Sequence, residues 1–168
     1  VVEGYMDVVS MSENGITNTV ATLGVATSDI YTQRLLQLVN EVIFCFDGDK
    51  AGRGAAWSAF KKILSSIKDG AEIKFQFLPE NEDPASLLEK ESKEVFEERL
   101  KNSLLLSEYF SNRLSALSGT GSLEKKASLA TQAMDLLKIM PNSSIKKLLE
   151  LEVSKVTGLA LKDIEENS

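Results

Sequence analysis

The rhythm of apolar and polar positions changes once along the chain, near Leu88. Before that point short apolar runs alternate with amphipathic stretches. Val1-Val2 reads as the end of a first strand, and Met6 to Asn14 as a helix stopped by Gly15 at its C′ position. Ile16 to Thr22, with Ile16, Thr17, Thr19 and Val20 branched at Cβ, reads as a second strand. Gly24 and Thr27-Ser28 mark a loop, and Thr27 or Ser28 suits the N-cap of a helix over Asp29 to Asn40, whose apolar face holds Ile30, Leu35, Leu38 and Val39. Val42 to Phe46 is an unbroken apolar run, as expected of a strand covered on both faces. A helix from Ala51 to Ile67 follows, ended by Asp69-Gly70, and Ile73 to Leu78 makes a fourth strand. Asp83-Pro84 supplies an N-cap and a first helical proline. From there helical spacing dominates: Ser92 to Leu100, Leu104 to Leu117, Leu123 to Met140 and Ser143 to Val156, with a last helical turn over Leu161 to Glu166. Ser118 to Ser122 and Pro141-Asn142-Ser143 interrupt the helices.

Strand and helix in alternation imply right-handed parallel crossovers. The expected fold class is therefore α/β, a parallel-sheet domain over residues 1–100 followed by an all-helical subdomain over 101–168. The chain opens inside its first strand, so it reads as an N-terminally truncated fragment of a longer protein. At 168 residues it can bury roughly 70% of its unfolded surface without disulfide staples. A single cysteine, Cys45, cannot pair internally, which suits a reducing, cytoplasmic setting. No apolar run reaches the length of a membrane span, and the first residues lack the basic and apolar regions of a signal peptide. Histidine is absent, which removes histidine catalysis and histidine metal ligands. The net charge of −6 argues against a broad basic nucleic-acid face and suits either a cation-collecting site or a surface kept in solution by repulsion.

The acids acquire meaning from their places on this layout. Glu3 follows strand one, Asp47 and Asp49 follow strand three, and Asp83 lies just beyond strand four. In an open parallel sheet every strand C-terminus meets the same edge, where ligands bind. Carboxylates crowded there are stabilised by a hard divalent cation, Mg²⁺ or Mn²⁺, which presents itself to phosphate oxygens. Taken singly, the same residues have plainer roles. Asp47-Gly48-Asp49 is also ordinary turn chemistry, and Asp49 and Asp83 are also ordinary helix caps. Asp7, four residues after Glu3, either joins the cluster or is a solvated helix residue. The small residues Ala51, Gly52, Ala55, Ala56 and Ala59 suit close packing of helix on sheet. Lys50 and Arg53 add a possible phosphate or nucleotide contact at that helix's N-terminus. Trp57 reads as core rather than as a stacking platform, and Cys45 as inert core.

The blocks "VVEGYMDVV", "FDGDKAGRGAAWSA" and "FLPENEDPASLL" resemble, in order and at suitable distances, the Toprim domain as it occurs in bacterial DnaG-type DNA primases. The helical remainder resembles, through weaker motifs, the helical subdomain that follows Toprim there. The resemblance implies nucleotidyl transfer from NTPs to make short RNA primers on single-stranded DNA. It implies Glu3, Asp47 and Asp49 as catalytic, metal-binding acids, with Glu3 also a general base. It adds Asp83 and Asp7 to the metal-binding rim. Relatives often carry an aspartate where this chain has Ala85. The family's zinc-binding domain, its basic subdomain and the region that contacts the replicative helicase have no counterpart in these residues, so the chain alone is expected to prime weakly or not at all.

Other readings remain open on sequence grounds. A haloacid-dehalogenase-type phosphatase also runs a strand into Asp-x-Asp, with the first Asp as nucleophile, but on its first strand and with no role for Glu3. A Toprim fragment of a topoisomerase or nuclease would share the acids, although "EGYMD" favours primase. A non-catalytic module docking a partner through its helical tail is a further class, for which core packing offers a simpler account of the amphipathic helices.

Overall fold

The computed structural model describes residues 1–22, 29–119 and 122–162. The expected loop at Gly24 and Thr27-Ser28, and the end of the expected turn over Leu161 to Glu166, lie outside them. Along the chain run α1 (Tyr5–Glu13), α2 (Asp29–Leu38), β1 (Glu41–Phe46), α3 (Lys50–Ile63), β2 (Glu72–Phe77), α4 (Pro84–Leu88), α5 (Lys93–Lys101), β3 (Leu104–Leu105), α6 (Leu106–Ser118), α7 (Leu123–Leu137) and α8 (Ser144–Thr157).

β1 and β2, the third and fourth strands of the sequence pattern, pair in parallel with Val42 opposite Ile73, Phe44 opposite Phe75 and Phe46 opposite Phe77. The first two strands of that pattern are shorter than expected. They meet in one parallel bridge, Val2 to Ala21, with Val2 N–H donating to Val20 O (2.9 Å) and Thr22 N–H to Val2 O (3.0 Å). Residues 16–19 do not join the ladder. The Thr19 hydroxyl instead donates to Ile16 O (3.3 Å), a local turn that competes with strand pairing. On its other side Val1 lies along β1, its nitrogen donating to Ile43 O (2.7 Å) and its carbonyl accepting from Cys45 N–H (2.8 Å).

The sheet is mixed rather than wholly parallel, because β3 pairs antiparallel with β2, Phe75 opposite Leu104 and Lys74 opposite Leu105. Leu104-Leu105 was expected to open a helix. Its apolar side chains serve a two-residue edge strand equally well, and α6 starts only after it.

α3 lies on the sheet through Gly52, Ala56, Ala59, Phe60 and Ile63, all buried and spaced to form one face. The small residues on that face bring the helix axis close and leave room for the aromatic rings. Phe44, Phe46, Phe75 and Phe77 stack across β1 and β2, and Phe60 packs against Phe75, Tyr109 and Phe110. α6, α7 and α8 close the same core through Leu114, Leu137, Leu149 and Val153. A smaller cluster, including Val2, Cys45, Leu78, Leu87 and Phe96, lies beneath the ends of the parallel strands. Burial pushes the Cys45 thiol up to about 12, as expected of inert core.

Candidate metal centre

The rim is built where three parallel segments end. Val2 is buried between its neighbours, so Glu3 emerges at the sheet edge and α1 begins two residues later. Gly4 N–H donates to Asp7 Oδ2 (3.0 Å), which turns Asp7 back over the start of α1 toward Glu3. β1 ends at Phe46, so Asp47 and Asp49 fall in the turn into α3. That turn admits only glycine between them: a Cβ on Gly48 would lie 1.6 Å from Pro79 O, because the segment leaving β2 crosses directly over it. Gly48 N–H donates to Glu82 O (2.9 Å), which ties the turn after β1 to the loop after β2. Gly52 is equally constrained, since its Cβ would lie 2.3 Å from Asp47 O. The first turn of α3 therefore sits on the Asp47 backbone.

The five acids play different parts. Asp49 is exposed and is the N-cap of α3, its Oδ1 accepting from Gly52 N–H (2.7 Å). Asp83 caps α4 in the same way, its Oδ1 accepting from Ser86 N–H (2.7 Å) while Ser86 Oγ accepts from Asp83 N–H (3.0 Å). The cap roles read from the sequence are thus present. Glu3 and Asp47 have no such employment: Glu3 Oε1 and Asp47 Oδ1 are buried and without a hydrogen-bond partner. A buried unpartnered carboxylate oxygen is costly, and native proteins rarely keep one without a ligand to relieve it.

The electrostatics tie all five together. Asp47 is pushed up to about 6, first by burial and then by the charges of Glu3, Asp7, Asp83 and Asp49. Glu3 is raised by burial, against a hydrogen bond from the Asp47 backbone, with Asp49 and Asp7 adding repulsion. Asp7 is raised by burial, opposed by the Gly4 backbone, and further raised by Asp83; the Ala85 backbone N–H favours its charged form. Asp7 therefore faces the cluster, and Ala85 takes part through its backbone. Among the described residues no three acids form a ready-made cation cage. With Asp49 and Asp83 turned to their helices, the arrangement is an acidic rim with two open oxygens at its centre. Lys50 and Arg53 stand exposed in the first turn of α3, next to the rim.

Sequence reasoning missed the crossing of the Pro79 segment over Gly48. A glycine between two aspartates was legible as permission for a turn; the carbonyl that demands it comes from a segment distant in sequence.

A family profile described as Toprim-like matches residues 1–88, more than half of the chain. The chain belongs to the Toprim-like family. It is 45% identical to the DNA primase of Pseudomonas aeruginosa over 98% of its own length and 25% of that protein. It is 40% identical to the DNA primase of Escherichia coli K12 over 95% of its length and 27% of that protein. Among solved structures, a DNA primase domain from Pseudomonas aeruginosa superimposes with a TM-score of 0.92 at 44% identity, covering 98% of this chain and 52% of that one. A DnaG primase catalytic domain bound to ssDNA superimposes with a TM-score of 0.84 at 39% identity, covering 92% and 50%. The chain spans about a quarter of the length of the curated relatives it matches. These likenesses favour a stretch of a DnaG-type primase catalytic core over the phosphatase, topoisomerase and nuclease readings.

Proposed function

We propose that the chain carries the metal-binding part of a nucleotidyl-transfer centre in a protein that makes RNA primers on single-stranded DNA. The observation that carries this is the pair of buried, unpartnered oxygens, Glu3 Oε1 and Asp47 Oδ1, at the rim of a Toprim sheet whose relatives are DNA primases. An all-oxygen donor set without histidine fits Mg²⁺ or Mn²⁺. Glu3 and Asp47 would hold such an ion, with the free oxygens of Asp49, Asp83 and Asp7 completing its surroundings through water. The ion would supply charge for the phosphoryl oxygens of an incoming NTP and for the attacking hydroxyl.

The chain's own residues do the rest. Glu3, whose carboxyl is raised above its ordinary value by burial, takes the proton of the attacking primer hydroxyl. Lys50 and Arg53 attract the triphosphate to the start of α3. Residues 1–100 carry this chemistry as the Toprim part, and α6, α7 and α8 make up a helical subdomain that shares its core. The template grip and the replicative helicase contact depend on parts of the protein beyond this chain, and its setting is cytoplasmic. No described helix is long and apolar enough to cross a membrane.

The test is primer synthesis by the longer protein on a single-stranded template with NTPs and Mg²⁺ or Mn²⁺. Glu3→Gln and Asp47→Asn should each lower synthesis at least ~100-fold. Wild-type synthesis by either variant, or a covalent phosphoryl group on Asp47, contradicts the proposal. Robust synthesis by the 168-residue chain alone would contradict the division of labour.

A further inference from the structure

A chain of bonds after β2 has no part in the chemistry proposed above. Glu82 stands one residue before Asp83, yet its carboxylate is engaged at both oxygens: Oε1 accepts from Lys90 Nζ, and Oε2 accepts from Ser86 Oγ (2.7 Å). The Ser86 hydroxyl accepts in turn from Asp83 N–H (3.0 Å), while Ser86 N–H donates to Asp83 Oδ1 (2.7 Å). Its one proton goes to the nearer, charged Glu82 oxygen rather than to Asp83 O at 3.1 Å. The bonds therefore run in one direction, from Lys90 through Glu82 and Ser86 to Asp83. The Glu82 backbone works on the other acidic turn. Glu82 N–H donates to Pro79 O (3.1 Å), closing a turn in which Asn81 takes a φ of 62°, and Glu82 O accepts from Gly48 N–H (2.9 Å). Pro79 O is also the atom that leaves no room for a Cβ on Gly48. One residue thus touches both turns: its main chain holds Gly48, between Asp47 and Asp49, and its side chain is anchored through Ser86 to Asp83.

We infer that Glu82, Ser86 and Lys90 are positioning residues: they brace the loop after β2, and the brace sets where Asp47 and Asp83 stand at the rim. Without Lys90, the Glu82 side chain is held by one bond instead of two. Without the Ser86 hydroxyl, Asp83 N–H and Glu82 Oε2 both lose their partner. The Lys90–Glu82 pair lies at the surface, with the Lys90 side chain 60% exposed, so little folding stability rests on it. Its effect falls instead on the geometry of the acids it holds, because partners behind a ligand orient that ligand. The sign of the effect separates a brace from a field. A lysine acting only through its charge would weaken cation binding at the rim, so its removal would strengthen binding. A bracing lysine does the opposite. The inference rests on the proposed function for what the rim binds, but the brace itself is read in the metal-free chain.

The experiment measures two quantities on the chain: hydrogen exchange of the Gly48 amide by NMR without metal, and Mn²⁺ affinity by calorimetry. Ser86→Ala and Lys90→Ala are set beside Ser86→Thr and Lys90→Arg, which keep the hydroxyl and the charge. Lys138→Ala, which breaks a surface pair with Asp135 on α7, is the control. Both brace-breaking variants, folded by circular dichroism, should speed Gly48 exchange about tenfold. Both should weaken Mn²⁺ binding at least about tenfold. Lys90→Ala should keep its Tm within about 4 °C of the parent. The two conservative variants and Lys138→Ala should match the parent in exchange and in affinity. Tighter Mn²⁺ binding by Lys90→Ala, or Gly48 exchange unchanged in both brace-breaking variants, overturns the brace. If the parent binds no Mn²⁺ while both brace-breaking variants speed Gly48 exchange, the brace stands and the metal reading fails. If the parent and both brace-breaking variants bind Mn²⁺ alike, the metal reading stands and the brace fails.

Discussion

At the scale of single residues, two glycines on one helix and its approach separate steric demand from mere tolerance. A Cβ on Gly48 would collide with Pro79 O at 1.6 Å, whereas one on Gly54 would meet nothing within 4 Å. Gly48→Ala should therefore cost about 3 kcal/mol or more, while Gly54→Ala should stabilise by roughly 0.5–1 kcal/mol through helix propensity. Urea unfolding of both variants checks the pair; equal effects would mean that the Pro79 segment does not press on the turn. The sequence made Asp47, Asp49 and Asp83 stand out, and it allowed both cap and cation readings for the last two. The structure gives Asp49 and Asp83 their caps and leaves the open oxygens to Glu3 and Asp47. No sequence pattern distinguishes these parts, because which carboxylate finds a helix N–H is settled by the path of the chain after the strand.

At the scale of elements, α3 was legible in its small-residue face, its start after the Asp49 cap and its cover of the sheet, although it ends at Ile63 rather than at the expected Ile67. β3 was not, since two leucines before a helix look like the helix's own first turn, and only the open edge of β2 recruits them. The tie between Asp69 and α8 was equally hidden. Asp69, in the turn before β2, accepts from Ser144 N–H (2.9 Å) and Ile145 N–H (3.1 Å), capping a helix that starts 75 residues later. Those two backbone donors hold its carboxyl below the ordinary carboxylate value of 3.8. The folded state then binds fewer protons than the unfolded one in acid. This contribution to stability is complete above the ordinary value and is lost as pH falls through the depressed one. Asp69→Ala should lower Tm at neutral pH and flatten the acid limb of the stability curve relative to the parent. A parallel pair of curves would remove Asp69 from the acid response.

At the scale of the whole molecule, the core runs through both parts of the chain. Phe60 of α3 stacks on Phe110 of α6 at 5.4 Å, and both are fully buried. Phe110→Ala should cost about 3–5 kcal/mol and should shift Trp57 fluorescence and far-UV circular dichroism by the same amount in one transition. Two separated transitions would show that the helical part folds apart from the sheet. The periodic pattern announced an α/β part followed by helices, but it could not show that they share one set of aromatic rings, since such contacts join residues some fifty positions apart with no local trace.

Calorimetric titration of the chain with Mn²⁺ and with Mg²⁺ shows whether Glu3 and Asp47 hold a divalent cation at the rim. The parent should bind, and Asp47→Asn and Glu3→Gln, each folded by circular dichroism, should bind at least about tenfold more weakly. Equal affinity in the parent and both variants would contradict the assignment.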